Sequence, residues 1–574
     1  MARSGGARNE GTGETRRLGV NPACGKRRLV PIMLARRLSR TRRVTEQGGA
    51  LSGTEAKPEQ AALERAGWVL ALLLFALRLF HLGGPLDDPH SWRQADTARA
   101  SLDFARNGVD LLHPVVCWLG GHRTLIFEWP LPEAMSGLLQ RTFGGGVVWD
   151  RIVDLAFFVV ATVYLHAFVR MVAGVRVAWI ATLAWLAFPL GQFYSRAAHV
   201  DFAATAGAHA LLYHGARAAR GAGWGHAAGA AVAGVVAALI KAPYLIPLLG
   251  PLLLVALSAT GPVALAGLAA ALAVTAIAFK IWRRHVDAVN AEAPDWFFLP
   301  GYYKEVNPLW WYFGDWHQRL QRGAWWKVVH RLITEVFTPP GVLLAFAAPL
   351  AAVRATVLRS GLRAITFAWC VGTLVYLLVF FPLNVIHNYY QMPFLAPAAL
   401  LVALGFEAMW TRVRPVAVIV FVLFLAMAVI APRKLGYYRV DWLRVEAGRL
   451  IDARLPKGDL VIACDHDSQY SDPRLLERAD RDGWSVAIPD LTPTIVAKLQ
   501  AAGAKHVAIV TDPEHAQLQP PTFLAPALKD TVAIRSSSTA LGSITVVPRR
   551  LGTLWLYDLP VPGAAADSTG STPR

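Results

Sequence analysis

The chain has 574 residues, of which 55% are hydrophobic and only 17% charged, with a mean hydropathy of +0.38 and a formal net charge of +18. A soluble protein of this length rarely carries so much apolar surface, so the composition excludes an ordinary soluble enzyme and predicts a polytopic membrane protein. The positive charge does not imply nucleic acid, because the arginines cluster in the first 43 residues and at short turns between apolar stretches, which is how membrane orientation is encoded.

Residues 1–64 are rich in Arg, Gly and Ser without apolar periodicity, and RRLVPIMLARRLSRTRR has too short an apolar core for a signal peptide. This predicts a disordered basic cytoplasmic tail, with Met33 as an alternative initiator. Apolar stretches then recur over roughly 66–86, 148–169, 175–194, 199–215, 226–241, 242–258, 261–281, 340–356, 362–383, 389–409 and 413–431, about eleven spans in a transmembrane unit of residues 65–432. With the tail inside, the cytoplasmic turns carry Arg170, Arg176, Arg217, Arg220, Arg354, Arg359, Arg363, Arg412 and Arg414.

Two long outer loops are expected. The first, 87–147, joins Asp88, Asp96, Asp103, Glu128 and Glu133 to Trp92, Trp118 and Trp129 and to apolar runs at helical spacing, a mixture suited to a membrane surface. The second, 282–339, is basic (Arg283, Arg284, Lys304, Arg319, Arg322, Lys327, Arg331) and holds the aromatic stretch WFFLPGYYKEVNPLWWYFGDW. Beyond Pro432, the runs LVIACD, SVAIP, HVAIV and ITVVP read as strands and TPTIVAKLQAAGAKH as a helix, so 433–574 is predicted to be a small outer α/β domain. The four cysteines (Cys24, Cys117, Cys370, Cys464) have no metal spacing, and a Cys117–Cys464 bridge is open only if both lie outside.

This topology gathers polar residues on one membrane face: Asp96 and Glu128 in the first loop, Asp201 at the start of the fourth span, Lys241 between the fifth and sixth, and HNYYQ (His387 to Gln391) at the start of the tenth. Ionisable groups at membrane depth are costly and usually mark function, and acids meeting a lysine at headgroup level suit a lipid phosphate.

At these residues the chain resembles the GT-C class of polyprenyl-phosphate-sugar-dependent glycosyltransferases, in particular bacterial relatives of the protein O-mannosyltransferases and the lipid A aminoarabinose transferase. WRQADTARASLDFARNG is similar to the family's acidic first-loop motif with its interfacial helix, FEWPL to its FE-type element, RAAHVD to its second-loop aspartate, LIKAPYLIPLL to its LTKG segment and HNYYQMPFLAP to its YxLP segment. The sequence departs from the family where Arg93-Gln94 stands near the usual Asp-Glu pair, where Trp129 replaces a lysine and where Ala242 replaces a glycine.

The resemblance implies a GT-C fold in the inner (plasma) membrane, with the N-terminus cytoplasmic and the C-terminal domain periplasmic. It also implies sugar transfer, with inversion, from a polyprenyl-phosphate donor to a glycan, lipid or protein acceptor that it leaves unassigned. Asp96 is the expected base with Asp88 in reserve, and Asp201 would orient acceptor or base. Lys241 is expected to meet the donor's phosphate, assisted by Arg196 or the basic 282–339 loop, Glu128 to fix the loop or ligate a divalent cation, and Arg93, Tyr389 and Tyr390 to touch substrate.

Each assignment has a plainer counterpart. Asp96 would serve equally as N-cap of a helix starting at Thr97, Asp201 as a cap of its span, Lys241 as a snorkelling lysine, and Tyr389 and Tyr390 as interfacial anchors. His199, His209 and His214 read as structural. A transporter or a non-catalytic envelope-assembly protein are the competing functions, although no inverted repeat is visible.

Overall fold

The computed structural model describes residues 58–302, 308–353, 361–536, 540–541, 544–545 and 549–560. Most of the expected tail, with Cys24, and also Lys304, Arg354 and Arg359 lie outside the described residues. Residues Pro58 to Glu64, placed in the tail by sequence, are instead the first turns of helix α1 (Pro58–Ala76).

The loop after α1 supplies two helices, α2 (Ser91–Asn107) and α3 (Leu131–Phe143). The bundle continues with α4 (Val148–Ala173), α5 (Val175–Ala187), α6 (Asp201–Ala219), α7 (Trp224–Lys241), α8 (Leu249–Leu257) and α9 (Pro262–Asn290). Then come α10 (Arg322–Arg331), α11 (Thr338–Ala347), α12 (Leu362–Val379), α13 (Leu395–Arg412) and α14 (Arg414–Lys434). Among the described residues, seven helical segments are long and apolar enough to cross a membrane, and shorter apolar helices such as α5 lie between them.

One of the seven, Trp224–Leu257, is a hairpin rather than a single rod. Its ends show this: Lys241 at the close of α7 bonds Asp201 at the start of α6, while Thr260 just after α8 donates to the Ala219 carbonyl at the end of α6, 2.9 Å away. The chain turns back at the 3₁₀ segment Ala242–Leu248, where Pro243 and Pro247 remove helix donors. Small residues let these helices touch: a Cβ on Gly207 would lie 2.8 Å from the Ala233 carbonyl, close backbone approach of the kind membrane helices use in place of a hydrophobic driving force.

The bundle ends differ chemically. The end holding Lys241 and Asp201 carries the acidic loop, whereas the other carries Arg170 paired with Glu64 at 3.0 Å, Arg176 with Glu407 at 2.7 Å, and Arg412 bonded to the Leu350 carbonyl at 3.1 Å.

The segment 282–339, expected to be a loop, is partly helical. Helix α9 continues to Asn290, and Arg322–Leu350 is one helical segment that passes through a π-helical stretch, Leu332–Phe337. Basic residues hid this helix from a charge-based reading. Arg331 turns its guanidinium to the free carbonyls of Asn384 and Val385 at a neighbouring helix end, so its charge is answered locally.

The C-terminal domain opens with α15 (Trp442–Arg454) and builds one sheet from β1 (Leu460–Asp465), β2 (Gly483–Ala487), β3 (Ala504–Thr511), β4 (Leu528–Arg535) and β5 (Arg550–Asp558), in the order β2-β1-β3-β5-β4. The first three strands are parallel and the last two antiparallel to their neighbours, with α16 (Pro493–Ala501) in the crossover to β3. Three expected strands are present; of ITVVP only Ile544–Thr545 is a described strand, and β4 and β5 complete the sheet. Cys117 and Cys464 are both buried and free, so they form no bridge.

The domain is not separate from the first loop. Val116, Cys117, Trp118, Leu119 and Leu125 share a hydrophobic core with Ile462, Trp484, Val507 and Leu554. Gly120 donates to the Gly483 carbonyl at 2.7 Å and Gly483 to that of Cys117 at 2.9 Å, and buried Arg99 binds Asp480 at 3.1 Å and Asp482 at 2.7 Å.

Candidate active site

Helix α2 carries the candidate base. It begins at Ser91, not Thr97, because Asp88 Oδ1 accepts from the Ser91 amide at 3.1 Å and from its hydroxyl at 2.7 Å. Capping therefore falls to Asp88, and the N-cap reading of Asp96 is corrected: Asp96 sits inside the helix on its buried face.

Only 7% of Asp96 is exposed, and its Oδ1 accepts from Trp118 Nε1 at 3.0 Å. Burial pushes the carboxyl up to about 7, against the pull of Arg93 and the Trp118 hydrogen bond. Beside it, Arg93 pairs with Glu128 and lies over the Phe127 ring at 5.5 Å. Buried Glu133 completes the group; desolvation, then the Glu128 charge, raises it to about 8. The crevice among Arg93, Asp96, Glu128 and Glu133 has a volume of about 20 Å³, room for a water but not for a sugar.

That segment is tied to the membrane helices. Trp129 donates its amide to the Leu239 carbonyl at 3.1 Å, two residues before Lys241, and Asn290 clasps the Ile126 backbone through both side-chain atoms at 2.8 and 2.9 Å. Glu128 is thus carried to the end of α7.

There Lys241 Nζ lies 2.8 Å from Asp201 Oδ1 and within 5.3 Å of the ring centres of Tyr244, Tyr389 and Tyr390, which cage it. Asp201 is wholly buried, and its oxygens meet Lys241, the Tyr244 hydroxyl and His199. It therefore holds the lysine in place. Lys241 has a fixed partner, unlike a freely snorkelling side chain. Tyr389 stacks on His387 at 5.0 Å, and both face His90 at 5.1 Å, so the HNYYQ segment also borders the loop that leads into α2.

Arg196 is engaged elsewhere. It is fully buried and holds Asp87 Oδ2 at 2.5 Å, while Arg151 holds Asp87 Oδ1 at 3.2 Å and four backbone carbonyls between His81 and Pro85. This network fixes the entry to the first loop, and within it Arg196 meets Asp87. The adjacent acids Asp87-Asp88 in GGPLDDPH were the sequence signal for Asp87, which the motif reading passed over. Trp118 and Glu133 were legible only as part of the first-loop mixture and Tyr244 only within LIKAPYLIPLL; the contacts of Trp118 with Asp96 and of Tyr244 with Asp201 join residues distant in sequence.

A cation at Glu128 does not fit these residues. Its carboxylate is taken by the Arg93 guanidinium, and among the described residues the groups able to surround a metal do not include it.

No family model and no curated protein matches the sequence. By fold, the chain is similar to ArnT from Cupriavidus metallidurans, solved bound to undecaprenyl phosphate, with a TM-score of 0.55 at 14% identity over 87% of this chain and 98% of that one. It is also similar to the arabinofuranosyltransferase AftD from Mycobacteria, with a TM-score of 0.51 at 15% identity over 86% of this chain and 40% of that one. At such identities the likeness is one of fold. The fold is thus of the GT-C type implied by the sequence motifs: an α-helical polytopic membrane protein with a small α/β domain.

Proposed function

We propose that the chain is a glycosyltransferase that moves a sugar from a polyprenyl-phosphate donor to an acceptor at the outer face of the inner membrane, with inversion at C1. The observation that carries this reading is Asp96: a carboxyl raised to about 7 by burial, fixed by an indole N–H and set beside a guanidinium, at the bundle end that also holds Lys241. The fold shared with an enzyme solved with undecaprenyl phosphate supports the donor class. The basic turns at the opposite end of the bundle support an outer location.

In this reading Asp96 takes the acceptor hydroxyl proton as that oxygen attacks C1, and the C1–O bond to phosphate breaks on the far side. The electron pair leaves with the polyprenyl phosphate, whose added charge meets Lys241 and Arg93. A base with a pKa near the working pH balances the fraction ionised against basicity. Asp88, committed to the first turn of α2, is a positioning residue, as is Asp201. Tyr389 and Tyr390 present ring faces beside the phosphate site, and Glu128 holds Arg93 in place.

The test uses the purified full chain in detergent with polyprenyl phosphates carrying different labelled sugars, in the presence of envelope lipids and glycans. Release of polyprenyl phosphate from at least one donor is expected. Absence of both release and donor binding across the panel would overturn the reading.

A further inference from the structure

The C-terminal domain holds a cavity of about 260 Å³, far roomier than the crevice beside Asp96. It lies outside the carboxyl ends of the parallel strands β1 and β2, where open α/β sheets place their ligands. Ser468, Gln469 and Tyr470 line it from the segment after β1, Ala487 and Asp490 from the end of β2 and just beyond, and Gly301 from the chain between α9 and α10. We propose that this cavity seats one sugar ring of a carbohydrate acceptor, an inference that rests on the transferase reading and names the acceptor class for it.

Size and charge select the ligand. Pockets for drug-sized molecules run from about 300 Å³ upward, so this one fits a single ring. Among the described residues no cationic side chain lines it. A phosphate would therefore meet the Asp490 carboxylate with no opposing charge, a cost that a neutral polyol escapes.

The lining divides into a fixed wall and open hydrogen-bonding groups. Ser468 is bonded to Asp465, and Ser485, also in the wall, donates to the Asp472 carbonyl. Buried Tyr470 packs its ring 5.1 Å from that of Tyr302. The side chains of Gln469 and Asp490, in contrast, have no partner among the described residues. An amide that both donates and accepts, beside a carboxylate that accepts, matches the hydroxyls of a sugar.

Position ties the cavity to the candidate base. The Tyr470 ring lies 5.4 Å from that of Trp118, whose Nε1 donates to Asp96 at 3.0 Å. Trp92 of α2 donates to the Ser471 carbonyl at 2.7 Å, which tethers the cavity wall to the helix that carries Asp96. One phenol and one indole thus stand between cavity and carboxylate. A glycan of several rings bridges that gap, with one ring seated in the cavity and a hydroxyl of another at Asp96.

The purified full chain in detergent is titrated calorimetrically with neutral mono- and oligosaccharides of envelope glycans, and separately with inorganic phosphate. At least one sugar is expected to bind, with a Kd of roughly millimolar for a single ring. Ala487→Phe, which fills the cavity, and Asp490→Ala, which removes an acceptor, are each expected to weaken that binding about tenfold or more. Both are expected to bind the labelled polyprenyl-phosphate donor as wild type does. A ring bound away from the reacting atoms contributes equally to ground and transition states, so the acceptor KM is expected to rise by a similar factor with kcat nearly unchanged. No sugar binding by the wild type, either variant binding sugar as wild type, or phosphate binding that Ala487→Phe abolishes would overturn the proposal. Failure of the transferase reading shows itself separately, as absence of donor binding and release. Asp490 is only half-buried, so its variant tests the site even if Ala487→Phe fails to fold.

Discussion

Among single residues, two charges in unlike surroundings, Asp96 and Lys241, govern the proposed chemistry. Asp96 is buried and titrates near 7, so it is protonated below that pH and ionised above it. A base must be ionised to accept a proton, so kcat/KM is expected to fall below about pH 7 and to rise to a plateau above it. A steady-state pH profile checks this; a profile flat from pH 5 to 9 would contradict it. Lys241 is held by Asp201 in a cage of three tyrosines, which fixes its position far more tightly than snorkelling would. Lys241→Met is expected to lower kcat roughly a hundredfold, the cost of one transition-state donor, with Lys241→Arg recovering only part because a planar fork does not occupy the same point. Turnover at saturating donor separates the two, and near-normal rates for Met would leave Lys241 an anchor.

At the scale of elements, the base depends on a contact the sequence does not announce. Trp118, which donates to Asp96, belongs to the core shared by the first loop and the C-terminal sheet. Gly120 closes that contact at φ +67°, where an added Cβ would come within 2.2 Å of the Trp484 ring. Gly120→Ala is expected to cost about 2–5 kcal/mol, the sum of left-handed backbone strain and overpacking. Thermal unfolding followed by Trp fluorescence measures it, and an unchanged Tm would show that the loop does not lean on the sheet.

Local patterns made much of this architecture legible. Apolar length located most of the bundle helices, and LVIACD, SVAIP and HVAIV the first three strands of the sheet. What stayed hidden was long-range. The charge of Arg331 concealed a helix because its carbonyl partners lie some fifty residues away, at Asn384 and Val385. Asp96 also admitted a cap reading because nothing local shows that the helix already starts at Ser91, whose amide donates to Asp88. Strands β4 and β5 carry charged or polar residues at exposed positions, and the pairing of β5 with β3 and of β4 with β5 is set by tertiary contact.

At the scale of the whole molecule, the two bundle ends differ in charge, and orientation decides which compartment sees Asp96. A periplasmically active reporter fused after Arg574 is expected to be active, and cysteines introduced in 90–145 to react with an impermeant thiol reagent in intact cells. A fusion active only in the cytoplasm would reverse the assignment. The most direct test of the central claim compares wild type with Asp96→Asn in single-turnover release of polyprenyl phosphate from a labelled donor. Asn keeps the shape and the Trp118 hydrogen bond but accepts no proton, so release is expected to fall by about 10²–10⁴, with protein level and Tm close to wild type. Release by Asp96→Asn at the wild-type rate would contradict the account.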